Sequence, residues 1–383
     1  MQTWALFWHI RTLTDQPAAL SVIGLVRFLP ILLFAMFGGL IADRYDRRRV
    51  IMITQTVMMG TALALAFLTW SGLIQLWHIY LLTAIQAIAI SFDLPARQAL
   101  IPNLLPRNVL PNAFSLNSIA GSLGSIIGPA LSGLVIATLG QGATYFINGI
   151  TFLGVLFAII AMGPVAQDLS TANRAQPGFR AIGDGVRFIL QKPIILSSMV
   201  LDFLATFFSS ANTLLPFVAV DILHVSEIEY GWLAAAQSIG AVTTGLILSQ
   251  RANIHRQGII LLGAVVAFGI ATSVFGLSQV FWLTFVALVF IGASDSVSMI
   301  IRNTVRQLQT PDAMRGRMVG INQIFFQGGP QLGEIEAGLV AQFFSVPAAI
   351  ITGGIGCILA VGLIQRLWPQ LSRYDSEEAV PAV

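Results

Sequence analysis

The feature that most constrains this chain is the spacing of its apolar stretches. Of its 383 residues, 56% are hydrophobic and only 10% are charged, whereas soluble proteins carry about 25% charged residues. Most of the charged residues fall between apolar runs of about 20 residues, the length that an α-helix needs to cross a bilayer. We therefore expect an all-α membrane protein that crosses the membrane about a dozen times.

The basic residues lie on one side of the expected helix pattern. Of the 20 lysines and arginines, 18 fall on the same side of the pattern as Arg44, in alternate loops or at the helix ends beside them, and the other two, Arg11 and Arg27, fall inside expected helices. Basic residues concentrate in cytoplasmic loops, so that side is predicted to face the cytoplasm. The net charge of +3 gives no indication of nucleic-acid binding. The single cysteine, Cys357, excludes an internal disulfide and implies no metal cluster.

Composition along the chain divides it into four predicted parts. Two transmembrane bundles are separated by a polar linker in which apolar residues recur at helical spacing from Phe179 to Leu190, as in an amphipathic surface helix. The acidic end of the chain is expected to be disordered. The predicted bounds are 1–162 for the N-terminal bundle, 163–193 for the cytoplasmic linker, 194–368 for the C-terminal bundle and 369–383 for a cytoplasmic tail.

A short loop between two apolar runs, residues 38–49, carries the most specific pattern. Its glycines allow close approach of helices, and Asp43 lies at a helix end where it can meet an arginine or a helix N-terminus. The loop resembles the one between helices 2 and 3 of the major facilitator superfamily, except that Asp46 replaces the usual second glycine. That resemblance implies a cytoplasmic gate formed by Gly39, Asp43, Arg44, Arg47 and Arg48, with Arg97, Arg302 and Arg317 as candidate partners.

A second motif lies in the expected helix 5. Gly124, Gly128 and Gly133 leave a bare stripe for helix packing, and Pro129 removes a backbone hydrogen bond and permits a bend. The stretch resembles the motif that marks exporters within the superfamily, with Ser132 in place of one glycine. Ordinary packing of small residues is the alternative interpretation.

The resemblance covers nearly the whole chain. Within the superfamily, the chain resembles the branch of bacterial exporters that contains the enterobactin and macrolide-efflux proteins. It implies the major facilitator fold, with two six-helix bundles related by pseudo-two-fold symmetry and both termini in the cytoplasm of a bacterial plasma membrane. A 205-residue shift aligns six identities, including Gly124 with Gly329 and Gly128 with Gly333, which indicates duplication. Residues 1–13 cover half a span, so we interpret Met1 as an internal start or a truncated gene model, with the first helix truncated.

Ionisable residues inside expected helices are the candidate proton or substrate site, because such residues are rare in membranes. They are Arg27, Asp202, Asp295, Glu334 and Glu336. Helices 2 and 11 are neighbours in the superfamily, so Arg27 is predicted to pair with Glu334 or Glu336 when the outside is closed, with snorkelling as the alternative. Many proton-driven relatives have a buried arginine in helix 4, which this chain lacks.

The sequence predicts a transporter and not an enzyme. It lacks a phosphate-binding glycine-rich loop, so ATP hydrolysis is not expected. We expect a monomer that exports small amphipathic molecules, either siderophores or drugs, by alternating access and proton antiport, with the proton gradient and no cofactor. The alternative is a lipid flippase or a non-transporting membrane partner of an enzyme.

Overall fold

The computed structural model describes residues 1–105, 109–163, 165, 179–250, 255–311 and 314–375, without the side chains at 35–40, 42–43, 111, 114–115, 179–182, 184, 211, 315–317, 319–320 and 323–324. Over these ranges the chain is helical and contains no strand. The helices are α1 (Gln2–Leu13), α2 (Ala18–Arg44), α3 (Arg47–Trp70), α4 (Leu76–Leu104), α5 (Leu110–Ala161), α6 (Phe179–Leu190), α7 (Pro193–Phe208), α8 (Leu215–Phe217), α9 (Glu227–Ser249), α10 (Gln257–Leu277), α11 (Phe281–Gln309), α12 (Arg315–Phe343) and α13 (Val346–Leu367).

The chain forms two compact units. The first contains residues 1–176 together with 226–231, and the second contains 177–225 and 232–383. Eight helices in the described ranges are long and apolar enough to cross a membrane. The predicted amphipathic helix of the linker is present as α6.

Two predicted helices are joined in α5, which has a sharp break in its middle. Gly140 has φ of 83° and ψ of 174°, a conformation that glycine adopts without a steric cost. The break falls between the two spans that the sequence predicts at 112–139 and 143–162. Non-helical backbone at one glycine therefore replaces the expected loop.

The prediction that helix 4 ends near Leu94 is wrong, because α4 continues to Leu104 with Pro95 and Pro102 inside it. Each proline removes only one backbone hydrogen bond. Packing holds the extension in place, since Ala96 and Leu100 are buried in an apolar cluster with Val50, Ile51 and Ile159.

The expected helix 7, at 194–217, is also interrupted. Its regular part ends at Phe208, and a 3₁₀ turn (Ala211–Leu214), α8 and a π turn (Val218–Ile222) follow. Pro216 lacks the N–H that a continuous helix would need there. Beside the break, the amides of Asn212 and Gln237 exchange two hydrogen bonds of 2.8 and 2.9 Å.

The predicted disorder of the tail is wrong for its first residues. The chain after α13 folds back on the start of α10, where Gly258 N donates to Tyr374 O at 3.0 Å. Leu371 is buried, and Arg256 N donates to the Asp375 carboxylate at 2.8 Å. Residues 376–383 lie outside the described chain.

We expect Gly258→Ala to destabilise the protein by about 1–3 kcal/mol, because a Cβ there would overlap the Leu371 carbonyl oxygen. The matched control on the same helix is Gly263→Ala, whose Cβ would meet no atom within 4 Å. Thermal unfolding of the purified protein in detergent measures both. Equal midpoints for the two variants would show that the tail does not pack against α10.

Candidate functional site

The second unit contains a cluster of charged side chains between α7 and α11, which is buried except at Asp295, whose side chain is 45% exposed. Arg302 is 2% exposed, and its Nη2 lies 3.0 Å from Asp202 Oδ1 and 3.6 Å from Asp295 Oδ1. Arg306 Nη2 lies 3.8 Å from Asp202 Oδ2. Asp295, Arg302 and Arg306 are spaced by seven and four residues, so they lie along one face of α11. That face meets Asp202 of α7, which is 1% exposed.

Charge attraction, more than hydrogen bonding, holds this cluster together. Neither oxygen of Asp202 has a hydrogen-bond partner, and neither do Arg302 Nε and Arg306 Nη1. Arg306 Nε is the exception and donates to the Arg302 carbonyl at 3.0 Å. Two positive and two negative charges balance, so the addition of a proton to either carboxylate would leave an excess positive charge.

The sequence identified the two aspartates of this cluster but missed the role of the two arginines. Arg302 was expected as a candidate partner of the cytoplasmic gate, whereas it pairs with Asp202 and Asp295. The spacing of Asp295, Arg302 and Arg306, which places all three on one face of a helix, could have indicated that the arginines pair with buried carboxylates. The partner Asp202 lies 100 residues away in the sequence, beyond any local pattern.

A second buried carboxylate, which the sequence analysis did not single out, lies in the first unit. Asp93 of α4 accepts hydrogen bonds from Thr54 Oγ1 at 2.8 Å, Gln55 Nε2 at 2.9 Å and Arg97 Nε at 2.6 Å. Arg97, another candidate gate partner, is thus engaged within its own helix. Three donors satisfy the Asp93 carboxylate, which fits a structural role.

The predicted cytoplasmic gate falls on the turn between α2 and α3. Asp46 is the N-cap of α3 and accepts from Arg48 N at 2.9 Å, a position where aspartate is strongly preferred. The Arg48 guanidinium donates to the Ile159 carbonyl at 2.7 Å. The burial of Gly39 and the side chain of Asp43 lie outside what the structure describes. The gate itself therefore stays a prediction.

The predicted exporter motif lies on α5, at a close contact with the beginning of α9. A Cβ on Gly133 would overlap the Glu227 carbonyl oxygen and would lie 2.7 Å from Gly231 Cα. A Cβ on Gly231 would lie 3.0 Å from the carbonyl oxygen of Pro129. Bare backbone on both sides is what permits this approach. Gly124, by contrast, faces open space.

The same surface of α5 also meets α1. Gly128 lies close to the Met1 nitrogen, and Ser132 Oγ donates to the Met1 carbonyl at 3.2 Å. From α9, Tyr230 donates its hydroxyl to the Trp4 carbonyl at 2.9 Å. Ser132, which departs from the family pattern, thus supplies a hydrogen bond where a glycine could not.

The remaining predicted site residues lie in different units. Arg27 of α2 lines a pocket of about 60 Å³ in the first unit. Glu334 and Glu336 lie on α12 in the second unit, and both are partly buried. The predicted pairing of Arg27 with one of these glutamates would join the two units and stays a prediction.

Comparison with known proteins places the chain among transporters. The model of a family described as transmembrane secretion effector matches residues 1–382. The enterobactin exporter EntS of Citrobacter koseri is 30% identical over 353 residues, which cover 90% of this chain and 82% of that protein. EntS of Shigella boydii is 30% identical over 346 residues, with coverage of 88% and 80%.

Solved structures show the same fold at low sequence identity. A bacterial homologue of the lysosomal transporter Spinster, in an inward-facing and occupied conformation, has a TM-score of 0.72 at 14% identity, with coverage of 99% of this chain and 97% of that one. The nucleoside transporter NupG has a TM-score of 0.68 at 16% identity, with coverage of 97% of both chains. The predicted major facilitator fold is confirmed, whereas its division into two six-helix bundles stays a prediction.

We expect Gly133→Ala to lower the thermal midpoint, because the added methyl group would separate α5 from the start of α9. Each kcal/mol of destabilisation corresponds to about 2–4 °C in a chain of 150–250 residues, and to less in a longer chain such as this one. Gly124→Ala is the control within the same motif, and its midpoint should not fall. If the two variants had equal midpoints, the contact of Gly133 with Gly231 would not contribute to stability.

Proposed function

Because the chain belongs to the transmembrane secretion effector family, whose members are membrane transporters and not enzymes, we propose that it exports small amphipathic molecules by alternating access. The proposed location is a bacterial plasma membrane, crossed many times. The relatives are named as exporters of the siderophore enterobactin, and this supports siderophores over drugs as the substrate class. The protein would act as a monomer and would need no cofactor besides the proton gradient.

The charge cluster of Asp202, Asp295, Arg302 and Arg306 is the observation on which proton antiport rests. Asp202 touches two guanidinium groups at ion-pair distance but makes no hydrogen bond that would fix it in place. A proton on Asp202 would remove its attraction to both arginines and leave unpaired positive charge in an apolar surrounding. Protonation would therefore favour a conformation in which α7 and α11 are arranged differently.

The remaining predicted residues complete the proposed cycle. The gate of Gly39, Asp43, Arg44, Arg47 and Arg48 would close the cytoplasmic side. The exporter motif would hold α5 against α9 through Gly133. Arg27, with Glu334 or Glu336, would close the outside. Both termini would lie in the cytoplasm, on the side where basic residues concentrate.

The coupling role of Asp202 is tested by uptake of a siderophore into everted membrane vesicles with an imposed, acid-inside pH gradient. We expect Asp202→Asn to reduce gradient-driven uptake by about tenfold or more, within the range of known coupling energies. Asp15→Asn is the control, because the Asp15 side chain is 90% exposed. Detergent thermal midpoints establish that both variants fold.

Uptake that depends neither on the pH gradient nor on Asp202, as the Asp202→Asn variant would show, would contradict proton antiport. If the vesicles moved lipid in this gradient-independent way, the protein would instead be a flippase. The absence of uptake by the wild-type chain, with every siderophore and drug offered, would favour a non-transporting partner of a membrane enzyme.

The outer pair is tested by charge exchange. Arg27→Glu should abolish uptake, and the second change Glu334→Arg should restore part of it if Glu334 is the partner. The matched alternative combines Arg27→Glu with Glu336→Arg, and only one of the two combinations should recover uptake. Failure of both combinations, at normal amounts of folded protein, would contradict the pairing.

A further inference from the structure

A small pocket in the first unit combines polar side chains with an apolar wall. It lies among α1, α2 and α4 and has a volume of about 60 Å³. Its apolar wall consists of Leu6, Phe7, Ile23, Ala87 and Ile90, and its polar groups come from Thr3, Arg27, Thr83 and Gln86. Drug-sized ligands occupy about 300–1,000 Å³, so this pocket can hold only one end group of such a ligand.

Thr83 is the residue that most clearly indicates a ligand. Its side chain is 5% exposed, and its Oγ1 is buried without a hydrogen-bond partner. Threonine hydroxyls in helices usually bond to a carbonyl of the preceding turn. The other equally buried threonines that the structure describes all form hydrogen bonds, namely Thr54, Thr61, Thr144, Thr213, Thr272, Thr284 and Thr310.

Gln86 is held in position by a chain of amides behind the pocket. Asn148 Nδ2 donates to Gln2 Oε1 at 2.7 Å, and Gln2 Nε2 donates to Gln86 Oε1 at 3.0 Å. Because the oxygen of Gln86 accepts from Gln2, the amide N–H groups of Gln86 are the donors that remain for a ligand. This fixed orientation lowers the entropy that the Gln86 side chain would lose when a ligand binds.

We propose that this pocket binds the anionic oxygen group, a carboxylate or phenolate, of an exported molecule whose apolar stem rests on Phe7 and its apolar neighbours. The inference rests on the proposed export function and adds the chemical class of the substrate. Arg27 supplies a permanent positive charge, while the Thr83 hydroxyl and the Gln86 amide supply neutral donors. All the polar lining residues can therefore donate hydrogen bonds to an oxygen anion.

Equilibrium binding to the purified chain in detergent tests the proposal without any gradient. The probes are 1-naphthoate and its methyl ester, which share an apolar ring and differ in the anionic group. We expect the affinity for the ester to be lower by about tenfold or more, because the hydrogen-bond donors that line the pocket would lose a charged acceptor. Thr83→Val should weaken naphthoate binding several-fold, and Thr83→Ser should restore it.

The matched control is Thr61→Val, because the hydroxyl of Thr61 bonds to the Met58 carbonyl and lies outside the pocket lining. Equal affinities for acid and ester, or equal effects of Thr83→Val and Thr61→Val, would overturn the assignment. Displacement of naphthoate by acetate at equal concentration would also overturn it, because the site would then recognise any small anion.

The binding assay and the transport assay distinguish failure of the pocket assignment from failure of the proposed function. If siderophore export persists while naphthoate does not bind, only the pocket assignment falls. If naphthoate binds as expected while the vesicles show no export of any substrate, the pocket stands as an anion site and the proposed function falls.

Discussion

The attraction between Asp202 and the two arginines of α11 joins two helices of the second unit through charge. Charges in a membrane interior lack water, so each must stay beside an opposite charge. This requirement ties α7 to α11 at Asp202. The regular part of α7 ends at Phe208, less than two turns further on, and gives way to 3₁₀ and π turns. The helix is thus anchored at the charge cluster and irregular immediately beyond it.

The predicted duplication would explain a shared helix pattern, but residues that it aligns have different contacts in the two units. Arg97 and Arg302 are aligned in the predicted repeat. Arg97 bonds the Asp93 carboxylate, which accepts from three donors, whereas Arg302 lies beside Asp202, whose oxygens have no hydrogen-bond partner. The glycines differ in the same way. Gly329 and Gly333 pack closely against Thr206 and Phe207 of α7, whereas the corresponding Gly124 faces open space. A repeated sequence therefore predicts a common backbone but not a common site.

Sequence alone predicts the helices well because apolar runs of membrane length leave few alternatives. It fails where packing overrides a local rule, as at Pro95 and Pro102, and where a long apolar run leaves the regular helix, as after Phe208. For the site, charge inside an apolar run identifies Asp202 and Asp295. Their arginine partners depend on how α7 and α11 face each other, and Thr83 and Gln86 are neutral residues that give no signal in a sequence.

The proposed proton site and the proposed anion pocket share no residue, and this limits the mechanism of coupling. In the simplest antiporter a proton and a substrate compete for one carboxylate, but the pocket beside Arg27 contains no carboxylate among its lining residues. A proton on Asp202 and an end group in this pocket therefore do not compete for one carboxylate. Coupling must instead act through a conformational equilibrium that protonation of Asp202 and occupation of the pocket both shift, and by linkage each must then change the affinity for the other equally.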